Sequence, residues 1–152
     1  MTEIIIFDSD KHGHLVQSFA DIHIACTEAE PMTLANFVLP FTPERKARVR
    51  KYWEERLALA QPGGTDTIVM AFTKPENSND AQLSGYVILQ QPVSESGPHR
   101  GDVQKLFVSP DFRRQGIARK MLLKLEDVAR EHGRWMLVRQ PFDSLMLLLP
   151  SF

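Results

Sequence analysis

Residues 102–138 contain the pattern that most constrains the fold of this chain. An apolar and β-branched segment, DVQKLFV (102–108), precedes a long amphipathic stretch at 114–132, and WMLV (135–138) follows it. Two strands joined by a helix pair in parallel through a right-handed crossover. The stretch is predicted to be helical because its apolar residues recur on one face; they are Ile117, Ala118, Met121, Leu122, Leu125, Val128 and Ala129. Gly133 stands where such a helix ends.

The remaining segments predict a mixed α/β sheet. Strands are expected at 3–7, 67–73 and 83–91, where β-branched and aromatic residues cluster between turn signals. A helix is expected over 13–28, with apolar residues at helical spacing. A second helix is expected to begin at Thr42, an N-cap residue followed by proline. The predicted order is strand, two helices, three strands, helix, strand.

Length and composition favour one soluble domain spanning residues 1–152. The formal net charge is -1, which gives no overall bias toward nucleic acid or an anionic membrane. The single cysteine, Cys26, cannot form an internal disulfide, in keeping with a reducing cytoplasm. No signal-peptide pattern or membrane-length apolar run is present in the sequence. We therefore expect a cytoplasmic protein with no nucleic acid and no membrane as partner.

The stretch FRRQGIA (112–118), at the start of the long helix, has the composition of an anion site. The first N–H groups of a helix lack intrahelical acceptors, and the helix dipole adds partial positive charge there. Gly116 lets a ligand approach the backbone, and Arg113, Arg114 and Arg119 add charge. Neither the Walker pattern nor the three-glycine dinucleotide pattern is present. The residues alone leave a phosphate loop and an ordinary polar helix start as alternatives.

The segment DVQKLFVSPDFRRQGIARKMLLKLEDVAREHG (102–133) resembles the signature of the GNAT superfamily of N-acetyltransferases. That signature contains [Q/R]-x-x-G-x-[G/A], for which we take Gln115 as the first position, with Gly116 and with Ala118 as the last. HRGDVQKLFV, together with the upstream ACTEAE and FVLPFTPERKARVRKYWEERLA, is similar to the tabtoxin-resistance-like branch of small-molecule acetyltransferases. The resemblance spans about residues 10–138 and implies a mixed, mostly antiparallel sheet flanked by helices.

The resemblance implies acetyl-CoA as cosubstrate. The loop backbone would hold the pyrophosphate through Arg113, Arg114, Gln115, Gly116, Ile117, Ala118 and Arg119. The strand backbone would pair with the pantetheine arm through Leu106, Phe107 and Val108, and the Val108 N–H would stabilise the oxyanion. Pairing with the pantetheine arm requires one edge of the 102–108 strand to be open.

Acetyl transfer to an amine also needs a group that removes a proton. Asp102 lies at the strand position where the resemblance implies a carboxylate base, although relatives of this branch more often have glutamate there. It would act directly or through one water, and its side chain should share a face with Gln104. The alternative is a strand-edge carboxylate that binds a cationic substrate or caps a turn. His99 is a secondary candidate.

A metal site is not expected. The candidate ligands are spaced poorly for one face, and no H-E-x-x-H motif is present; they are Asp8, Asp10, Asp21, His12, His14 and His23.

Residues 139–152 depart from the resemblance. The family continues with a helix carrying a tyrosine acid and with two further strands, whereas RQPFDSLMLLLPSF follows here. We interpret the C-terminal helix and last strands as missing, through a frameshift or altered splicing, and expect impaired activity. The apolar run LMLLL (145–149) could cover the bare sheet edge or form a homodimer.

Two functions of different classes follow. The first is transfer of acetyl from acetyl-CoA to a primary amine of a small molecule. The second is a non-catalytic acyl-CoA-binding or protein-interaction module. A structural α/β domain with a basic helix start would bind no acetyl-CoA at all.

Overall fold

The computed structural model describes residues 1–30, 40–60, 64–91 and 99–139. The strands are β1 (Thr2–Ile6), β2 (Asp66–Thr73), β3 (Gln82–Gln90), β4 (Arg100–Val108) and β5 (Met136–Arg139). The helices are α1 (Ser9–His12), α2 (Val16–Ala29), α3 (Pro43–Ala58) and α4 (Ile117–Glu131), with 3₁₀ turns at Gly13–Leu15 and Pro110–Phe112. Residues 140–152 of the predicted tail lie outside this description.

The five strands form one sheet in the order β1-β2-β3-β4-β5. The first three pairings are antiparallel, and β4 pairs with β5 in parallel. This confirms the parallel pair predicted from the strand–helix–strand pattern and the mixed, mostly antiparallel sheet. No helix in the described ranges is both long and apolar enough to span a membrane.

The sheet separates two apolar cores because successive strand residues face opposite sides. Ile68 and Met70 of β2 pack on the side covered by α2 and α3, where Phe19 and Trp53 are fully buried. The alternate residues of β2 and β3 pack against α4. The predicted apolar face of α4 is confirmed, since that helix presents its buried residues to one of these cores. The buried residues of α3, which are Val49, Trp53 and Leu57, face the other core.

Helix boundaries differ from the predictions where the backbone turns sharply. The helix predicted over 13–28 is preceded by α1, which Asp8 caps by accepting from the Asp10 N–H, and by a 3₁₀ turn. The helix predicted over 114–132 begins only at Ile117, because Arg114 and Gly116 have positive φ. Its end is as predicted. The Gly133 N–H donates to Arg130 and the Arg134 N–H to Ala129, which is the Schellman pattern.

Candidate active site

A β-bulge interrupts β4 in the middle of the segment predicted to contact a cofactor. Tyr86 of β3 pairs with Phe107 and Ile88 pairs with Gln104, so two residues of β4 lie opposite one of β3. Lys105 has φ of 53°, unusual for a residue with a side chain, and is 8% exposed. A bulge bends its strand and increases the local twist. The second half of β4 therefore leaves the direction set by its first half.

The C-terminal half of β4, residues 104–108, has an open edge on the side away from β3. β5 pairs with Arg100 to Val103 only, and no other described strand lies beside residues 104–108 on that side. The Ser109 N–H donates to the Ser84 carbonyl at 2.8 Å, which makes this a hydrogen-bonded pair. Hydrogen-bonded and non-bonded pairs alternate in an antiparallel ladder. The N–H and C=O of Val108 therefore point away from β3, toward the open edge.

Gly85 lets β3 and β4 approach closely beside this edge. A Cβ at Gly85 would lie 2.7 Å from the Phe107 carbonyl oxygen and 3.1 Å from the Met121 side chain. Contacts this short would push the strand and α4 apart. The absence of a side chain at position 85 thus helps set the path of β4 next to the candidate site.

The loop after β4 leaves the N-terminus of α4 uncapped. Gly116, the N-cap residue, has φ of 74° and provides no side-chain cap, and Arg114 has φ of 65°. The first intrahelical bond runs from the Lys120 N–H to the Gly116 carbonyl at 3.1 Å. The N–H groups at 117–119 precede that bond and have no acceptor within the helix. Free N–H groups at a helix start form a concavity suited to an anion.

The side chains of this loop divide into three kinds. Arg114, Gln115 and Arg119 are exposed, and their side chains make no hydrogen bond or ion pair with the described residues. Ile117 is buried in the core under α4, so only its backbone faces the loop. Arg113 is engaged instead: its Nε donates to the Val108 carbonyl at 3.3 Å, and its guanidinium pairs with Glu30.

The spacing of the loop corrects one assignment made from the resemblance. The pattern [Q/R]-x-x-G requires its first residue three positions before the glycine, and Arg113 has that spacing from Gly116. The assignment of Gln115 to the first position is therefore wrong. Gly116 and Ala118 keep their positions in the pattern.

Cys26 of α2 reaches the same strand end. Its thiol is buried and donates to the Val108 carbonyl with an Sγ–O distance of 3.3 Å. Burial raises the pKa of Cys26, and the nearby Arg113 offsets this only in part. The thiol therefore stays protonated at neutral pH and can donate.

Aromatic and basic side chains pack beside the bulge, on the face of the sheet that α2 and α3 cover. The ammonium of Lys105 lies 5.9 Å from the centre of the Tyr52 ring. His23 accepts from the Trp53 indole N–H through Nδ1 at 3.1 Å and packs against Phe107. Burial, together with the charge of Lys105, lowers the pKa of His23 to about 3. His23 is therefore neutral at physiological pH, and a proton-transfer role there is disfavoured.

Asp102 lies well away from the open edge. Its carboxylate is buried and receives two hydrogen bonds from Arg100, at 2.7 and 3.3 Å. It pairs with Gln90 on one side and Val138 on the other, where the sheet is closed. The strand from Asp102 to Val108 corresponds to about 20 Å if extended. The two predicted catalytic groups therefore do not meet at one carbonyl by direct contact.

A polar network links α3 to the strand just before the bulge. Arg56 donates to Gln104, and Gln104 donates to Gln90 at 2.8 Å. The Arg56 Nε also lies 3.0 Å from a carboxylate oxygen of Asp66, which is 1% exposed. Burial raises the pKa of Asp66, and Arg56 counteracts that effect. Sequence reasoning missed Arg56, Lys105 and Cys26, since no periodicity marks a bulge or a contact between distant elements.

The remaining candidates lie elsewhere. The ring of His99 stacks on Trp135 at 4.6 Å, at the start of β4, farther from Val108 than Asp102 is. The His12 Nδ1 accepts from the Asp8 N–H. Within the described ranges, no three residues among His, Cys, Asp and Glu are placed to share a metal ion.

A cavity of about 630 Å³ lies at the opposite end of the sheet. Asp8, Asp66, Gln91 and His132 are among its lining residues, and it includes none of the residues predicted to bind acetyl-CoA. The cavity therefore gives no support to that site.

The five-stranded mixed sheet with helices on both faces defines an α/β fold. The chain belongs to the acetyltransferase (GNAT) family, whose family model matches residues 31–143. A comparison with curated proteins finds no match. The match to the family confirms the superfamily predicted from the 102–133 segment.

Solved structures share the fold at low identity. PaiA N-acetyltransferase from Thermoplasma acidophilum, in complex with coenzyme A, is 14% identical with a TM-score of 0.63, over 91% of this chain and 78% of that one. YncA from Salmonella typhimurium, with its cofactor acetyl-CoA, is 15% identical with a TM-score of 0.59, over 91% and 68%. The aminoglycoside acetyltransferase meta-AAC0020 from an uncultured soil metagenomic sample, in complex with sisomicin, is 16% identical with a TM-score of 0.56, over 91% and 76%.

Proposed function

We propose that this protein transfers the acetyl group of acetyl-CoA to a primary amine of a small molecule. One observation carries the proposal: the open edge of β4 is followed, after the 3₁₀ turn Pro110–Phe112 and the loop at 113–116, by the uncapped N-terminus of α4. An extended amide-containing arm and an anionic pyrophosphate are joined in acetyl-CoA in the same order. The two halves of the candidate site therefore fit one ligand.

The pyrophosphate would lie on the N–H groups at the start of α4. The backbone N–H groups at 117–119, after Gly116, offer donors. Arg114 precedes them in the sequence and Arg119 belongs to the same turn; both are exposed and make no ion pair with the part of the chain that the structure describes. Charge-assisted bonds to anionic oxygens are stronger than neutral ones. Gln115 adds an exposed amide donor to the same loop. Arg113 belongs to the loop by its backbone, while its side chain is engaged with protein groups.

The pantetheine arm would pair with the open edge of β4 as an added strand. Main-chain pairing at a free sheet edge gives affinity without requiring particular side chains. Phe107 pairs with Tyr86, so its N–H and C=O face β3 and it does not offer them to the ligand as the resemblance implied. Leu106 and Val108 would contribute backbone groups at the edge, and the outward Val108 N–H would bind the thioester oxygen as negative charge develops. The side chains of Leu106 and Val108 are partly buried against the core under α4. The edge is therefore held in place before the ligand arrives.

We propose Asp102 as the base, acting through water. Its carboxylate is too far from Val108 for direct contact, so the proton would travel along a relay on the face of β4 that also carries Gln104. A single water would suffice only if the thioester lay nearer the bulge than Val108 does. The Asp102 proposal therefore depends on where along β4 the acetyl group lies.

The acceptor is proposed from chemistry and from relatives. The structure of meta-AAC0020 is described as an aminoglycoside acetyltransferase with sisomicin bound, and PaiA is described as an N-acetyltransferase. We extend the small-molecule amine class to this chain on that basis, together with the resemblance to the tabtoxin-resistance-like branch. Residues 1–152 are proposed to form one domain in a reducing compartment. A homodimer through residues 145–149 stays a prediction.

Two measurements on the full chain test this function. Titration calorimetry with acetyl-CoA measures binding, and release of free thiol measures turnover with a panel of primary amines. Saturable binding with amine-dependent thiol release is expected. Absence of binding would contradict both the acetyltransferase and the acyl-CoA-binding proposals.

A second function, acyl-CoA binding without catalysis, is favoured by one observation. Arg100 holds both carboxylate oxygens of Asp102, and the sheet is closed on both sides at that position. A carboxylate held in this way is less available as a base. Tight binding of acetyl-CoA with no thiol release across the amine panel would support this second function.

A further inference from the structure

We propose that Arg113 is a positioning residue that holds the end of β4, and is not a phosphate ligand. The inference rests on the proposed function, because it concerns how the acetyl-CoA site is held in shape. It separates Arg113 from Arg114 and Arg119, although the sequence gives all three the same basic character.

The guanidinium of Arg113 bridges two elements that are distant in the sequence. Its Nε donates to the Val108 carbonyl at 3.3 Å, and its Nη1 pairs with the Glu30 carboxylate. Glu30 follows α2 directly, and its own N–H donates to the Cys26 carbonyl at 3.0 Å. The end of α2 and the end of β4 are therefore joined through one side chain.

The peptide group between Val108 and Ser109 is held on both sides. Its carbonyl accepts from Arg113 and from the Cys26 thiol, each at 3.3 Å. Its N–H, which belongs to Ser109, donates to the Ser84 carbonyl at 2.8 Å. With these atoms held, rotation of the strand end is restricted, and the Val108 N–H stays turned toward the open edge. A donor fixed in advance is what stabilisation of a developing oxyanion requires.

The charge of Arg113 is already compensated within the protein. Glu30 is its ion-pair partner, so the pair adds little net positive potential at the start of α4. Arg114 and Arg119 are exposed and have no ion-pair partner in the described part of the chain. These two residues are therefore the ones available to an incoming anion.

The test compares two ligands that share the phosphates and differ in the arm. Coenzyme A and 3′-phospho-ADP both contain the pyrophosphate, but only coenzyme A has pantetheine. Calorimetry with Arg113→Ala and Glu30→Gln is expected to show about tenfold weaker binding of coenzyme A, equivalent to about 1.4 kcal/mol. Binding of 3′-phospho-ADP should change less than about twofold. Arg114→Ala, the matched control, should weaken both ligands alike.

Glu30→Gln distinguishes the two roles of Arg113 sharply, since it removes the charge of the partner and leaves the charge of the guanidinium uncompensated. A phosphate-binding Arg113 would then hold both ligands as well as before or more tightly. The double variant should bind coenzyme A no more weakly than Arg113→Ala alone, because both changes act on one bridge.

The amide resonance of Val108 in ¹⁵N-labelled protein gives a readout that needs no ligand. Arg113→Ala and Glu30→Gln should shift it, Arg113→Lys should restore it in part, and Arg114→Ala should leave it in place. Equal weakening of both ligands by Arg113→Ala, or an unmoved Val108 resonance, would overturn the inference. If the unmodified protein bound neither ligand, the proposed function would fail, and the resonance would still decide whether the bridge holds β4.

Discussion

Gly116 and Gly133 stand at opposite ends of α4 with the same φ of +74°, and an added Cβ would meet no atom within 4 Å at either position. Each therefore requires glycine for its backbone conformation rather than for space. Only Gly116 belongs to the loop proposed to hold the pyrophosphate. The two residues provide a matched pair that separates backbone strain from ligand binding.

Alanine at either glycine should lower the free energy of unfolding by about 1 kcal/mol, the cost of left-handed backbone for a residue with Cβ. Gly116→Ala should also weaken acetyl-CoA binding by about fivefold, or roughly 1 kcal/mol. Gly133→Ala should leave the affinity unchanged. Urea denaturation and calorimetry measure the two effects. Equal affinities in both variants would show that the loop does not bind the ligand.

Arg114→Ala should weaken acetyl-CoA binding by about fivefold at low salt, because a charged hydrogen bond contributes about 1.5 kcal/mol or less when exposed. The difference from the unmodified protein should shrink as salt is added, since the arginine is exposed. Arg48→Ala removes an exposed arginine on α3 and serves as the control. Affinities for acetyl-CoA measured across a salt series check this. A similar loss of affinity in Arg114→Ala and Arg48→Ala would show that the effect comes from the net charge of the protein and not from a contact in the loop.

Asp102→Asn should lower kcat by at least about a hundredfold, the usual contribution of a general base, with KM for acetyl-CoA little changed. Asparagine keeps the shape and can still accept from Arg100, so the fold should hold. The pH profile of kcat provides the check, because loss of a base removes its acidic limb. A decrease in kcat of only about threefold would indicate that Asp102 serves in the ion pair with Arg100 and is not the base, which would favour the non-catalytic function.

Acidification should destabilise the protein through His23. Its pKa is lowered to about 3 in the folded state from an ordinary value of 6.5, so the unfolded chain binds the additional proton between these values. Stability is then present above pH 6.5 and is lost as the pH falls, by about 2 kcal/mol at pH 5. Urea denaturation at pH 7 and pH 5 should show this loss.

His23→Gln removes the titrating group and should flatten that dependence, whereas His14→Gln replaces an exposed histidine and should not. A pH dependence that persists in His23→Gln would assign the acid sensitivity to other groups.

Local signals predicted the elements well where a single residue type sets the backbone. Thr42 caps α3 by accepting from the Arg45 N–H, and Gly133 ends α4 in the left-handed conformation. The apolar stripe of α4 identified the face that covers the sheet, because helical periodicity and burial have the same cause. The parallel pairing of β4 and β5 followed from the crossover rule.

The site was only partly predictable. KLFV (105–108) has the composition of a plain strand, yet Lys105 has positive φ and opens the bulge. Asp102 and Val108 were both assigned to catalysis, and the geometry of an extended strand separates them. Such features arise from pairing between segments distant in sequence, which leaves no periodic signal in either segment.

The sequence by itself determined the family, the strand–helix–strand unit and the basic loop at 113–119, because these depend on neighbours along the chain. Only the tertiary structure decided which arginine of that loop is held by other protein groups. Arg113 and Arg114 are adjacent and chemically identical, but α2 brings Glu30 and Cys26 to one side of the strand end, where Arg113 finds its partners. A side chain's role depends on the charges that the fold places near it, and those charges belong to another part of the chain.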